Sequence, residues 1–311
     1  MKAILSKAKL GTQPGGRPPA AVEITREGVL AGAIPAPGQP PVYAFVPLAT
    51  GALLPGIGEP NLRAPEAVAA AIRSALDQVS PRSRSVTLVI PDTVVRIFVL
   101  DFDALPDKPI EAYPVLRFRL RKMVPFDVEH AGLSYQVLVE KKEEVKVLAA
   151  VLPGPVLAEY EAAVRAAGYE PGAVLPSSLA AMAAVDSLEA ALIANLSSLA
   201  LTTSIANGQD LLLYRTLDLP ENPLLRQEEV RRGVAVAAAY YEDKLGGRPT
   251  RLHFAGHIGS SEEAGSEGFA SWIDDPELTV VDLAARPATG ATTSLGSASI
   301  AGVTGALAGV R

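Results

Sequence analysis

Few side chains in this sequence could do chemistry, and two aspartates are the most suggestive of them. The 311 residues include no cysteine and only three histidines, which excludes disulfides, thiolate metal sites and thiol nucleophiles. Asp101 and Asp103 directly follow residues 97–100, an apolar run with the pattern of a strand. Two carboxylates at a strand end are either part of a catalytic site or two solvated side chains, and the sequence leaves both interpretations open.

Residues 97–107, IFVLDFDALPD, resemble the Asp-x-Asp loop of haloacid-dehalogenase-type phosphatases. In that family one carboxylate attacks phosphorus and the second acts as acid and base, both gathered around Mg²⁺. The family pattern continues with Gly-Thr, whereas this chain continues with Ala104 and Leu105. A phosphohydrolase that uses Asp101 and Asp103 is therefore kept as the alternative interpretation.

The sequence lacks the other common catalytic and binding motifs. No Gly-Lys dipeptide is present, so a Walker-type nucleotide site is excluded, and neither a Gly-x-Gly-x-x-Gly after a strand nor a Gly-x-Ser-x-Gly elbow occurs. His253 and His257 lie at a predicted strand-to-loop transition, where we expect polar loop residues and no metal site. The formal net charge of −6 argues against a general nucleic-acid binder.

The hydrophobic pattern predicts an α/β protein whose second half, starting near residue 189, repeats the plan of the first. In the first half we expect a hairpin at 20–34, strands at 42–46, 85–90, 93–102, 132–139 and 145–151, and helices from 65, after 109, at 156–167 and at 177–188. In the second half we expect strands at 191–196, 199–206, 211–217 and 251–255, and helices at 222–245, near 269 and at 297–307. Pro114 is expected to kink the helix after 109 or to delay its start.

The order of features in residues 86–138 carries a second resemblance. A strand leads to a turn at Pro91, a strand bearing Arg96 and a helix, and then to the pair Pro125 and Phe126 and a strand at residues 134–138. This order and spacing resemble the type IV pilus assembly protein PilM family of the actin-like ATPase superfamily, which also contains FtsA. The GspL-type cytoplasmic domains of type II secretion are similar relatives and fit equally well.

The resemblance implies an actin-like (ribonuclease H-like), duplicated two-lobe α/β fold with a small inserted subdomain. It implies a first lobe at 21–188, an insertion at about 104–140 and a second lobe at 189–311, with residues 1–20 as a leader. No apolar stretch of about 18 residues is present, so we expect no transmembrane segment. We therefore expect a cytoplasmic protein, peripheral at the inner-membrane face.

In that superfamily two Asp-x-Gly loops hold the phosphates of ATP and a Gly-Gly loop holds the adenosine. The positions that match these loops are Glu23 and Thr25, Asn195 and Leu196, and Gly256 and Gly259. Glutamate replaces aspartate in the first loop, while in the second an amide replaces the acid and a leucine at the glycine position would obstruct a phosphate. We therefore expect no catalytic residues and no cofactor. The alternative is a sugar-kinase-like relative that still binds Mg-ATP weakly.

The resemblance also implies a scaffold that binds a short N-terminal cytoplasmic peptide of a PilN-like inner-membrane protein, in a groove of the first lobe. The candidate binding residues are Arg117 and Arg121 on the helix after 109, together with Phe126 and Tyr135. Such a peptide would bind by strand addition and by side-chain pockets. The competing interpretation is a solvated helix face beside a phenylalanine and a tyrosine of the core.

Overall fold

The computed structural model describes residues 17–58, 60–185, 189–208, 210–256, 266–284, 295 and 298–308. Within these ranges no helix has the length and apolar character needed to cross a membrane. The predicted leader at 1–20 lies almost entirely outside the described residues.

The first sheet contains five strands with buried, mostly aliphatic residues. They are β1 (Ala20–Ile24), β2 (Gly28–Ala33), β3 (Val42–Pro47), β4 (Ser85–Ile90) and β8 (Glu170–Pro176). Their spatial order is β3-β2-β1-β4-β8. Strand β2 is antiparallel to both of its neighbours, β1 and β3, whereas β4 is parallel to β1 and β8 is parallel to β4. Helices α1 (Pro65–Val79) and α3 (Gly154–Ala166) cover one face of this sheet with apolar side chains such as Ile72 and Tyr160.

The second sheet has the same plan as the first. Its strands are β9 (Ala191–Leu196), β10 (Ala200–Asn207), β11 (Asp210–Asp218), β12 (Arg251–Gly256) and β13 (Thr279–Asp282). The order β11-β10-β9-β12-β13 again joins an antiparallel meander to two parallel strands. Helices α5 (Pro223–Leu245) and α6 (Ser266–Ile273) pack against one face of it. The two halves of the chain therefore repeat one topology, as the sequence pattern predicts.

A third, smaller sheet lies between β4 and α3 in the chain. It is formed by β5 (Arg96–Phe102), β6 (Gly132–Lys141) and β7 (Glu144–Leu152) in the order β5-β7-β6. Helix α2 (Pro109–Leu120) packs on one face of it, while Val99 and Leu148 on the other face contact residues of the second sheet. This unit spans residues 96–152, which is wider than the predicted insertion at about 104–140.

Two short helices, α4 (Ser177–Met182) and α7 (Ala301–Ala308), cover the other face of the first sheet. Helix α7 follows the second half in sequence but packs on the first sheet and on α4. This contact depends on small residues: a Cβ added at Gly305 would lie 1.8 Å from the carbonyl oxygen of Ala180. The backbones of α4 and α7 are therefore in direct contact, which only glycine at this position permits.

Most predicted elements are confirmed, apart from the following differences. The strand expected from 93 begins at Arg96, because residues Asp92–Val94 form a 3₁₀ turn, the helix expected at 177–188 ends at Met182, and the helix expected at 297–307 begins at Ala301. Strands β8 and β13 were not predicted. Pro114 does not delay the start of the helix, because α2 starts at Pro109 and continues through Pro114. The carbonyl that loses its hydrogen bond belongs to Ile110 in the exposed first turn, where water can replace the donor.

Candidate functional site

The two positions that the resemblance matched to phosphate loops face each other. Glu23 in β1 and Asn195 in β9 both line one cavity between the first and second sheets, which we call the cleft. Ser177, at the start of α4, connects them: its Oγ lies 2.6 Å from Oε1 of Glu23 and 3.1 Å from the side-chain amide of Asn195. Both positions therefore belong to a single hydrogen-bond network between the two halves.

A second buried acid, Asp92, belongs to the same network. Its carboxylate accepts from the backbone N–H of Ser178 at 3.0 Å, from the hydroxyl of Thr202 at 3.1 Å and from the hydroxyl of Ser178. Sequence reasoning missed Asp92 as a functional position and treated it as part of a turn. The only available signal was an acid placed between two strongly apolar strands.

The amide of Asn195 has one orientation that satisfies both of its ends. In that orientation the nitrogen donates to the carbonyl of Ala255 at 3.3 Å, and the oxygen faces the hydroxyls of Ser177 and Ser178 at 3.1 and 3.0 Å. A serine hydroxyl has one hydrogen, so Ser177 cannot donate to an ionised Glu23 and to Asn195 together. A protonated Glu23 removes this conflict because it donates to Ser177, which then donates to Asn195.

The environment of Glu23 favours this protonated form. Burial raises the pKa of Glu23 to about 7, the hydrogen bond from Ser177 opposes the increase, and the charge of Asp92 adds to it. Burial also raises the pKa of Asp92, against the hydrogen bonds donated by Ser178 and Thr202. The hydroxyl of Tyr214 is buried beside this acid, and burial raises its pKa as well. The network thus holds a proton near neutral pH.

The turns that follow Glu23 and Asn195 are closed by their own hydroxyl groups. In the first turn, residues 25–27, Oγ1 of Thr25 accepts from the N–H of Gly28 at 3.2 Å and donates to its carbonyl at 3.0 Å. In the second turn, residues 197–199, Oγ of Ser197 accepts from the N–H groups of Ala200 at 3.0 Å and Leu199 at 3.3 Å. Phosphate loops instead keep backbone N–H groups free for phosphate oxygens.

Leu196 belongs both to the lining of the cleft and to the apolar core of the second half. It is buried in one apolar cluster with Leu192 and Ala194, and it is also among the residues that line the cleft next to Asn195. Side chains alternate along a strand, so Asn195 and Leu196 point to opposite faces of β9. Ser197 is therefore the counterpart of Thr25, two residues after the polar position in each turn.

Two glycines bring backbone close to these positions. Gly256 has φ of 126°, and a Cβ there would lie 2.1 Å from the carbonyl oxygen of Leu196. A Cβ at Gly302 of α7 would lie 2.5 Å from Oε2 of Glu23. Helix α7 therefore covers the carboxyl group of Glu23 directly. Gly259, the other glycine of the predicted adenosine loop, lies outside the described residues.

The four candidate partner residues lie together on and beside α2. The guanidinium of Arg117 donates to the carbonyls of Val128 and Ala131, which fixes the segment before β6. Arg121 forms an exposed ion pair with Glu129 at 2.5 Å. Phe126 and Tyr135 are partly buried against the core under α2, and Tyr135 also contacts the ring of Tyr113.

The aspartates of the alternative interpretation lie far from the cleft in the fold. Asp101, in the edge strand β5, is exposed and forms an ion pair with Lys146 at 3.6 Å, and Asp103 is exposed in the loop that follows. The described residues contain no group of three acids or histidines that could hold a metal ion. These positions do not favour a phosphohydrolase.

No protein-family model matches the sequence, and neither does any curated protein. A solved structure described as the PilM–PilN type IV pilus biogenesis complex is 19% identical, covers 94% of this chain and 98% of its own, and has a TM-score of 0.68. The ethanolamine utilization protein EutJ from Carboxydothermus hydrogenoformans is 9% identical, with coverages of 96% and 91% and a TM-score of 0.50.

The cytoplasmic domain of EpsL, an inner membrane component of the type II secretion system of Vibrio cholerae, is 14% identical. It covers 77% of this chain and 82% of its own, with a TM-score of 0.49. The likeness to the PilM–PilN structure extends along nearly the whole chain and agrees with the repeated sheet order. The chain therefore has the actin-like α/β fold that the resemblance implied.

Proposed function

We propose that this protein is a non-catalytic, actin-like scaffold of a type IV pilus or type II secretion assembly. It works in the cytoplasm, peripheral at the inner membrane, and binds a short cytoplasmic peptide of a PilN-like membrane partner. The observation that carries the non-catalytic part is the chemistry of the cleft, where a buried acid whose pKa is raised to about 7, a neutral amide and two self-closed turns occupy the phosphate-loop positions. The likeness to the PilM–PilN structure supports the type of assembly.

Nucleotide binding would need groups that the cleft uses otherwise. Phosphate oxygens require free N–H donors and a cation, and Mg²⁺ requires ionised carboxylates. Here the hydroxyls of Thr25 and Ser197 occupy turn N–H groups, and burial disfavours the ionised form of Glu23 by raising its pKa to about 7. The protein therefore neither hydrolyses ATP nor binds it tightly.

Calorimetric titration of the full chain with Mg-ATP tests this part. We expect a Kd weaker than about 1 mM, and no shift of the melting temperature at lower concentrations of ATP. A Kd in the micromolar range, or phosphate release that is abolished by Glu23→Gln, contradicts the proposal. The same titration with ADP and with Mg²⁺ alone separates binding of the nucleotide from binding of the metal.

The third sheet offers an edge for the partner peptide. In the order β5-β7-β6, strand β6 pairs with β7 alone among the described strands, so its other edge is available for an added strand. Tyr135 belongs to this strand, Phe126 packs with it in the core under α2, and Arg121 forms an ion pair with Glu129, three residues before the strand begins. An extended peptide added to β6 would receive backbone hydrogen bonds from the strand and charge contacts from Arg121.

A titration with the N-terminal cytoplasmic peptide of a PilN-like partner tests the peptide site. Arg121→Glu is the suitable variant, since Arg117 holds backbone carbonyls and its reversal would disturb the fold. We expect about fivefold weaker binding for Arg121→Glu and none of this loss for Arg82→Glu, an equal charge change at an exposed position of the first half. Equal affinities of all three proteins contradict the peptide site.

A further inference from the structure

Helix α2 has large apolar side chains on the face that it turns away from the protein. Its inner face is buried, with Ala112, Leu116 and Leu120 fully covered in the core of the third sheet. On the opposite face Ile110 is 80% exposed and Phe118 is 72% exposed. These two residues are eight positions apart, so their side chains point about 80° from each other around the helix, both away from the buried face. Two large exposed apolar side chains on one half of a helix indicate an interaction surface rather than scattered surface residues.

Basic side chains are concentrated in the same segment as these two apolar residues. Residues 107–123 contain five lysines and arginines and two acids, within a chain whose formal net charge is −6. Arg119 and Lys122 are exposed, and neither takes part in the salt bridges found among the described residues. Arg121 has a partner in Glu129, but both side chains are more than half exposed, so this pair is held weakly.

The position of α2 in the fold leaves its outer face uncovered by the described residues. The third sheet separates the helix from the second sheet: Val99 and Leu148 face the second sheet, whereas Leu100 and Val147 lie under α2. Helix α2 is thus an outer layer of the molecule, and a large flat partner can reach its outer face without a clash with the two main sheets.

We propose that the outer face of α2 is a contact surface for an anionic lipid bilayer. Ile110 and Phe118 enter the interfacial region, and Arg119 and Lys122 lie at the level of the lipid phosphates. A helix with apolar side chains flanked by cations has the chemistry of proteins that bind in the membrane interface. Because the chain as a whole is negative, a local basic face is needed to bring it to an anionic surface.

A bilayer fits this face better than a protein partner does. The exposed cations Arg119 and Lys122 follow Phe118 closely in the chain, and separate lipid phosphates can meet both of them beside the apolar side chain. A protein partner would need an acid placed opposite each of these cations. Docking on a bilayer through α2 also leaves the second sheet on the far side of the third sheet, away from the membrane.

Flotation of the full chain with lipid vesicles tests the proposal. We expect the protein to float with vesicles of phosphatidylcholine and phosphatidylglycerol at about 7:3, and not with phosphatidylcholine alone. Reversal of both free cations, Arg119→Glu with Lys122→Glu, is expected to weaken binding at least about 20-fold. Removal of the apolar pair, Ile110→Ser with Phe118→Ser, is expected to weaken it at least about tenfold.

Two matched controls make the result specific to α2. Leu224→Ser with Leu225→Ser removes an exposed apolar pair from α5, where the side chains are 78% and 52% exposed. Arg82→Glu changes the net charge at an exposed position away from α2. Both controls are expected to float like the wild type. Circular dichroism melts of all variants show whether each one is folded at the temperature of the assay.

Three outcomes overturn the proposal. The first is a wild-type protein that ignores anionic vesicles, and the second is binding that both α2 variants retain in full. The third is that the outer face of α2 binds the partner peptide and not the bilayer. In that case the Ile110→Ser, Phe118→Ser variant loses peptide binding, and the wild-type protein does not float with vesicles. None of these outcomes affects the proposed scaffold function, which is tested separately through Arg121 and through ATP.

Discussion

The polar residues just before the first and second turns, Glu23 and Asn195, occupy equivalent places in the two halves but differ in chemical type. Glu23 pairs across its sheet with Leu30, and Asn195 pairs with Thr202, in each case seven residues further along the chain. Each turn also has a hydroxyl residue two positions after the polar one, and this hydroxyl binds the turn. The backbone plan is thus repeated, while the polar residue is an acid in one half and an amide in the other.

This difference limits the number of buried acids in the network to two. Glu23 and Asp92 are both buried, and a third carboxylate in the same network would add repulsion and a further desolvation cost. Asn195 avoids that cost because its amide is neutral and finds partners at both ends. A nucleotide site requires the opposite arrangement, in which ionised acids and a metal balance the phosphates.

The largest expected effect concerns α7, which covers the carboxyl group of the first turn. In Gly305→Ala the added methyl group would lie 1.8 Å from the carbonyl oxygen of Ala180, so α7 must move away from α4 and from Glu23. We expect the free energy of unfolding to fall by about 3 kcal/mol or more, measured by urea denaturation. Gly247→Ala is the control, because a Cβ at Gly247 meets no atom within 4 Å. Equal stability of both variants would contradict the contact.

The second prediction concerns the proton on Glu23. Its pKa is about 7 in the folded state against 4.5 for the free side chain, so the folded state binds the proton more tightly. The resulting stabilisation is complete below pH 4.5 and is lost as the pH rises through about 7. Relative to Glu23→Gln, which cannot ionise, the wild type should lose about 3 kcal/mol of unfolding free energy between these limits.

Denaturation of both proteins from about pH 4.5 to pH 8 measures this difference. The acids outside this network are present in both proteins and distant from Glu23, so their titration cancels to first order. If the free energies of unfolding of the two proteins depend on pH in the same way, Glu23 ionises in the folded state as it does in water. That result would contradict the difference proposed between Glu23 and Asn195.

The third prediction makes the second turn resemble the first. Asn195→Asp adds a third acid to the network, and we expect it to lower the free energy of unfolding by about 2 kcal/mol at pH 8. At pH 5 the effect should be small because the added group can remain protonated. Asn207→Asp, the same change at an exposed turn position, is expected to have little effect at either pH. A neutral result for Asn195→Asp at pH 8 would show that the amide is not needed.

Helices whose ends are marked by a proline, a glycine or a capping asparagine were predictable from the sequence. Pro65 begins α1, Gly168 follows α3 with φ of 89°, and Asn222 caps α5 by accepting from the N–H of Leu224. These signals act within one turn of the chain, so composition and spacing reveal them. The repeat of strands and helices in the two halves was visible for the same reason.

The site itself was predictable only in part, because its contacts are not local. The resemblance located Glu23 and Asn195, but Asp92 binds Ser178 across 86 positions and Thr202 across 110. No pattern in the sequence links residues at such separations. The burial of Leu196 in the apolar core was not predictable for a different reason, since the strand register decides toward which face of the sheet each of two neighbouring residues points.

The smallest expected effect compares the hydroxyl groups of the two turns. Ser197 Oγ accepts from two backbone N–H groups, those of Leu199 and Ala200, whereas Thr25 Oγ1 accepts from Gly28 alone. Ser197→Ala should therefore cost more than Thr25→Val, about 1.5 against about 1 kcal/mol of unfolding free energy. Amide hydrogen exchange should increase at Ala200 in the first variant and at Gly28 in the second, since each N–H loses its side-chain acceptor. If neither amide exchanges faster, the hydroxyls do not close the turns, and the N–H groups remain available to a phosphate.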